Sequence, residues 1–185
     1  MPLTVTLQDL QDLFKISKSA TFEEQLASFI EQGGNVNAIN EQDDDRTLLH
    51  RAIQKGWIES VALLLEQKAD LTIPNRDKAP ACLALIENTT LHKEERIRIF
   101  NQLAHYAPHQ LHVAGMRQYT PLHSASVQGD IEMVKLLLEH QADIHALNEY
   151  GQTPLELAQH KPEVFETLLD HLNQTNTGPR IVISL

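Results

Sequence analysis

Residues 119–147 read YTPLHSASVQGDIEMVKLLLEHQADIHAL, and Thr153-Pro154-Leu155 restarts the pattern 33 residues after Thr120-Pro121-Leu122. The repeated stretch carries its own folding instructions. Thr120 stands where a side-chain oxygen can cap the first free N–H groups of a helix. Pro121 follows at the first helical position, where its missing N–H is no loss. Leu122, Ala125 and Val127 give a short helix a narrow apolar face. Gly129 ends it by allowing positive φ. Ile131, Val134, Leu137 and Leu138 then restart the pattern at helical spacing. Neither helix is long enough to be stable alone, so each is expected to lie on its partner and each pair on the next.

The signature recurs along the chain, as a search for long repeats requires. Thr47-Leu48-Leu49-His50 carries it, with Ala52, Gly56, Val61 and Leu63-Leu64-Leu65 in step. His50 and His123 lie 73 residues apart, one repeat of 33 plus one of 40. The intervening repeat is Ala79-Pro80-Ala81-Cys82-Leu83-Ala84, followed by Ile99, Leu103 and Ala107. An extra stretch near residues 87–95 lengthens its helices or the turn between them. A last repeat starts at Thr153 and is shortened around Lys161-Pro162, before Val164, Phe165, Leu168 and Leu169. At the front, residues 21–40 match the second half of the pattern, with Thr21 and Glu24 spaced as a capping box. Before them, Leu7, Leu10 and Phe14 form an apolar stripe capped by Thr6. The reading is all-α, about five helix pairs, with degenerate outer pairs acting as caps.

These residues resemble the ankyrin-repeat family, most closely over residues 120–158, TPLHSASVQGDIEMVKLLLEHQADIHALNEYGQTPLELA. The resemblance covers roughly residues 6–172. It implies an ankyrin-repeat solenoid: antiparallel helix pairs joined by hairpin-like loops that project at right angles. The expected boundaries are a capping helix over residues 1–18, the stack over 19–172 and a flexible tail over 173–185. It also implies scaffold roles for Thr47, His50, Thr120, Pro121, His123, Gly129, Thr153 and Pro154, the histidines bonding backbone near the threonine and tethering adjacent loops. Two departures stand out. The family places glycine before the Ala-Asp pair, and only Gly33 keeps it; Lys68 and Gln141 stand there instead. In the third repeat Cys82 replaces the histidine and Ala81 the leucine, so that repeat is expected to be the softest.

Composition narrows the function. With 42% apolar and 22% charged residues, 185 in all, the chain has globular composition and enough mass to bury a core. No run approaches the ~20 apolar residues of a membrane span. Residues 1–14 have no basic start and meet Asp9 and Asp12 early, against a secretory signal. Cys82 is the only cysteine, so no intrachain disulfide can form, which fits a reducing, cytoplasmic setting. A formal net charge of −10 repels phosphate backbones and favours basic or mixed protein surfaces.

Catalytic and metal chemistry find little purchase. His105, His109 and His112 have spacings that could align three imidazoles, as a zinc site needs, but Pro108 interrupts and the register puts His109 and His112 on the projecting loop. Cys82 and Ser124 fall on packing helices without an evident base. No phosphate-binding glycine loop is present. No cofactor is implied, and the chain is expected not to be an enzyme. A metal-dependent regulator or enzyme built on Cys82 and the histidines is one alternative reading, and a self-associating structural subunit another.

The leading expectation is a protein-binding module, monomeric on its own, that masks, recruits or inhibits a partner, with no nucleic acid or membrane as ligand. Delivery as a bacterial effector into a host cytosol is a finer form of the same reading. The run Glu41-Gln42-Asp43-Asp44-Asp45 places four carboxylates on one loop, suited to a solvated tip or to lysine or arginine on a partner. Tyrosine, arginine and methionine are favoured binding anchors. The family's contact positions, carried over, select Asp43, Asp44, Arg46, Gln54 and Lys55. They also select Met116, Arg117, Tyr119, Val127 and Gln128, and in the last repeat Glu149, Tyr150, Gln152 and His160. Trp57, after Gly56, is expected to pack on a neighbouring repeat. The tail's apolar end weakly resembles a ligand of carboxylate-binding peptide modules.

Overall fold

The computed structural model describes residues 6–16 and 19–175. The chain forms two compact units that divide after Leu111. Among the described residues there are ten α-helices and no strand. The N-terminal unit holds α1 (Leu7–Lys15), α2 (Ser19–Glu31), α3 (Leu48–Lys55), α4 (Ile58–Glu66), α5 (Ala81–Glu87) and α6 (Lys93–Tyr106). The C-terminal unit holds α7 (Pro121–Gln128), α8 (Ile131–Glu139), α9 (Pro154–Leu157) and α10 (Pro162–Thr175).

Consecutive helices pair two by two, and pairs stack like on like. In the N-terminal unit α3 lies on α5, and α4 on both α2 and α6. In the C-terminal unit α7 lies on α9 and α8 on α10. Helices of 4 to 14 residues are marginal alone, so burial of their shared faces holds them. Leu49, Ile53, Val61, Leu64, Ile86, Ile99 and Phe100 fill the first core, and Leu122, Met133, Val134, Leu137 and Leu168 the second. Each such side chain contributes on the order of 1.5–3 kcal/mol when fully buried. Trp57 is buried and meets Phe22 of α2 with ring centroids 4.8 Å apart, the neighbouring-pair packing that its position forecasts.

The helix ends follow the sequence signals. Thr6, Thr47, Thr120 and Thr153 are N-caps whose hydroxyls accept from the third helical N–H. Gly56 and Gly129 end α3 and α7 at φ 69° and 79°. The second helices close with paired bonds: Gly33 and Gly34 N–H to Ile30 and Phe29, Lys68 and Ala69 to Leu65 and Leu64, Gln141 and Ala142 to Leu138 and Leu137. This closure puts Lys68 at φ 61° and Gln141 at φ 65°, where Gly33 has 86°.

Several expectations need correction. Thr21 lies inside α2, which starts two residues earlier at Ser19, so it is not the cap. Val127 is exposed, because it sits about 200° around the helix from the buried Ala125. In the third repeat the N-cap is Pro80 and the third helical residue is Leu83. Leu83 therefore stands where His50 and His123 stand, and Cys82 takes the leucine position. The cap-to-cap step from Thr47 to Pro80 is 33 residues and the seven extra residues all follow Pro80. They lengthen both the α5–α6 connection and α6, which reaches 14 residues. His109 lies in a 3-10 turn over Pro108–Gln110 and His112 just after it, ahead of the projecting loop at residues 115–119. α10 continues to Thr175, past the expected boundary at 172. The Leu7 side chain and the tail from residue 176 lie outside the described residues.

A side chain at positive φ costs on the order of 1 kcal/mol relative to glycine. Gln141→Gly should raise the melting temperature by about 2–4 °C, measured by circular dichroism; a fall would show that the Gln141 side chain contributes more than its backbone costs.

Candidate protein-binding site

The surface most exposed to a partner is built from the hairpin loops and the first helices behind them. Each loop is closed at its base by a backbone bond: Asn40 N–H to Arg46, Asn75 to Ala79, Gly115 to Tyr119 and Asn148 to Gln152, at 2.8–3.1 Å. Asparagine side chains stiffen three of them from within. Asn40 Oδ1 accepts from Gln42 N–H, Asn75 Oδ1 from Ala79 N–H, and Asn148 Oδ1 from Tyr150 and Gln152 N–H.

Histidine joins each loop to the next. Thr47 N–H and Oγ1–H both donate to His50 Nδ1, at 3.3 and 2.9 Å, so the ring proton sits on Nε2 and is donated to the Ala79 carbonyl at 3.1 Å. His123 repeats the arrangement with Thr120 and the Gln152 carbonyl. Both acceptors immediately precede the next helix cap. Burial holds both imidazoles below their usual pKa, His50 additionally through Arg46. These rings are scaffold.

Neighbouring loops are also zipped at their tips. Arg76 N–H donates to Asp44 O (2.8 Å) and Glu149 N–H to Arg117 O (2.9 Å). The acidic run finds its cations within the chain. Arg46 pairs with Asp43 (3.0 Å) and Asp44 (3.1 Å); Arg76 pairs with Asp44 (3.2 Å) and Asp45 (3.4 Å) and donates to Glu41 O. Arg117 pairs with Glu149 at 3.2 Å and lies 5.6 Å from the Tyr150 ring centroid. Consecutive non-glycine residues at positive φ, Asp44-Asp45 and Arg117-Gln118, form two of the tips.

Two models of one family fit the chain: a three-copy ankyrin-repeat model over residues 91–178 and a single ankyrin-repeat model over residues 44–76. The chain belongs to the ankyrin-repeat family. Among its relatives are the putative ankyrin repeat protein FPV024 of fowlpox virus, 25% identical over 66% of this chain and 20% of its own length. Human inversin is 28% identical over 71% of this chain and 12% of its own. Mouse ankyrin repeat and SOCS box protein 16 is 31% identical over 70% and 31%. The match spans less than a third of each of these relatives.

In this ankyrin-repeat protein the residues selected from sequence divide between the two units. In the N-terminal unit Arg46 and Gln54 line a groove of about 260 Å3 with His50, Ile53, Asn75, Asp77, Ala79, Ala84, Glu87, Asn88 and Thr90. Lys55 is exposed at the end of α3, while Asp43 and Asp44 are committed to the arginine pairs. Asp77, Glu87, Asn88 and Thr90 escaped sequence reasoning because they belong to the repeat whose register the cysteine and the insertion obscured. In the C-terminal unit Met116 and Tyr150 are each 55% exposed and Val127 44%, with Arg117, Gln128 and Glu149 also exposed. Tyr119 is half-buried against His123, ring centroids 5.5 Å apart. Gln152 is held by Asn148 and by the His123 bond. His160 is exposed but lines a different groove, with Leu155 and Phe165 of α9 and α10.

Among the described residues no three His, Cys, Asp or Glu side chains gather as metal ligands would. His105 lies edge-on to Tyr106, and His112 Nε2–H donates to the His140 carbonyl at 2.8 Å. Cys82 is 1% exposed, and burial pushes its thiol up to about 12; the thiolate that nucleophilic or redox work needs is suppressed. Cys82 should therefore resist iodoacetamide at pH 8 in the native protein and react fully in urea, read by mass spectrometry.

A histidine whose folded pKa is lowered contributes stability that is whole above about 6.5, the unfolded value, and is lost as pH falls through the folded value. Urea midpoints should drop from pH 7.5 to pH 5.5, and His50→Gln should be less stable at pH 7.5 with a shallower drop. An undiminished slope would remove His50 from the account.

Proposed function

We propose that the chain is a non-catalytic binding module that acts by occupancy, masking, recruiting or inhibiting a protein partner. The family supports the class of function, and the mouse relative's name places ankyrin repeats beside a second module, the SOCS box. The observation that carries the choice of surface is the pairing of exposed large apolar side chains with rigid loops in the C-terminal unit. Met116 and Tyr150 stand on loops closed by hydrogen bonds and zipped to each other, so they are ordered before a partner arrives and cost little to dock. Tyr150 is flanked by the Arg117–Glu149 pair, which offers either sign of charge beside an aromatic anchor.

The N-terminal groove supplies a polar companion surface, with Asp77 and Glu87 at its edge, in keeping with a partner of basic or mixed charge. The net charge of −10 argues against nucleic acid. No helix among the described residues is long and apolar enough to cross a membrane. The buried lone thiol suits a reducing compartment such as the cytoplasm. Delivery into a host cytosol is the finer form of this reading.

Affinity capture from native and host-cell lysates, with Met116→Ala/Tyr150→Ala beside the parent, tests the surface. The double variant should retain its melting temperature and lose at least ten-fold in affinity for the captured partner. If every specific partner binds as before, the surface is misassigned.

A further inference from the structure

The groove on α9 and α10 differs in character from the others. It has a volume of about 430 Å3 and a floor of Leu155, Pro162 and Phe165 rimmed by Glu156, His160 and Glu166. Leu155 and Phe165 remain only half-buried although the equivalent faces of α7 and α8 are covered by α9 and α10. It is thus the open end of the C-terminal unit, where a further repeat would lie but where the described residues supply none.

The chain carries a candidate occupant. α10 ends at Thr175, ten residues after Phe165, so about 15 Å separates them along the helix. Residues 176–180 span about 16–18 Å when extended, and Gly178-Pro179 among them favours a reversal of direction. Residues 181–185, IVISL, are four-fifths apolar. Arg180 precedes them, and Glu166 on the rim is exposed with no ion pair among the described residues. The geometry points to residues 180–185 as an intramolecular strap: Arg180 opposite Glu166, with Ile181, Val182, Ile183 or Leu185 on Leu155 and Phe165. Tethering sets the local concentration of this segment near the millimolar range, above what a second copy or a dilute partner reaches. The strap closes the last repeat and withdraws the groove from other ligands.

Two experiments on the full chain test this. Ending the chain at Thr175 retains every described residue. It should lower the melting temperature by about 3–6 °C and speed amide hydrogen exchange across residues 155–166 on the order of ten-fold. A synthetic peptide of residues 176–185 added at millimolar concentration should reverse both. Phe165→Cys/Ile183→Cys should form a disulfide within one chain under oxidised glutathione, with buried Cys82 unmodified. Unchanged exchange and melting on truncation would overturn the strap. Cross-linking only between chains, or a dimer by light scattering that survives truncation, would assign the groove to a second copy instead.

Discussion

The bond from His50 Nε2 to the Ala79 carbonyl, and its counterpart from His123 to Gln152, joins helix pairs that are individually too short to persist. The same ring accepts from the threonine that starts its own helix. One imidazole thereby couples a helix cap, the helix itself and the following loop, and it does so in a buried setting where a missing partner would leave a polar group unsatisfied. The coupling demands a neutral ring with its proton on Nε2. It explains why the TPLH tetrad reads so consistently: threonine, proline or leucine, and histidine each satisfy a different part of one hydrogen-bonded corner.

The loops inherit their order from that corner. Once the base of each hairpin is closed and its last carbonyl is held by histidine, the tips approach closely enough for backbone bonds between neighbours. Arginines then follow the geometry. Arg46 and Arg76 lie among four acidic groups, and Arg117 between Glu149 and Tyr150. The exposed pairs are individually weak, yet they leave the first acidic tip largely self-neutralised. The electrostatic attraction of a basic partner is carried by the chain's overall charge and by groups such as Asp77, not by the run of aspartates that is most visible in the sequence.

Much of this was legible before any coordinates. Thr120, Pro121 and Gly129 act at the level of single residues and their neighbours, and they behaved as their chemistry dictates; so did the awkward backbone at Lys68 and Gln141. The misreadings share a cause. Thr21 looks like a cap, but Ser19 and Ala20 extend the helix ahead of it. Cys82 looks like a substituted histidine because the Ala-Pro dipeptide mimics Thr-Pro, whereas the chain places Pro80 itself at the cap. Val127 is apolar in a pattern that rewards apolar residues, and only the helical angle reveals it as surface. For the candidate site, exposure at Met116 and Tyr150 was foreseeable from loop position. The neutralisation of Asp44 by Arg76, 32 residues away, was not, since nothing local encodes it.

The histidine tethers also act as rulers. Each spans 29 residues from ring to carbonyl, and the chain's two enlargements, the seven-residue hairpin at 40–46 and the expanded repeat after Pro80, both fall outside the measured intervals. Growth of this protein has been tolerated where no imidazole gauges the separation. Length polymorphism, natural insertions and grafted epitopes should therefore follow the same map, settling in residues 41–45 or 88–92 and sparing the stretches from 50 to 79 and from 123 to 152.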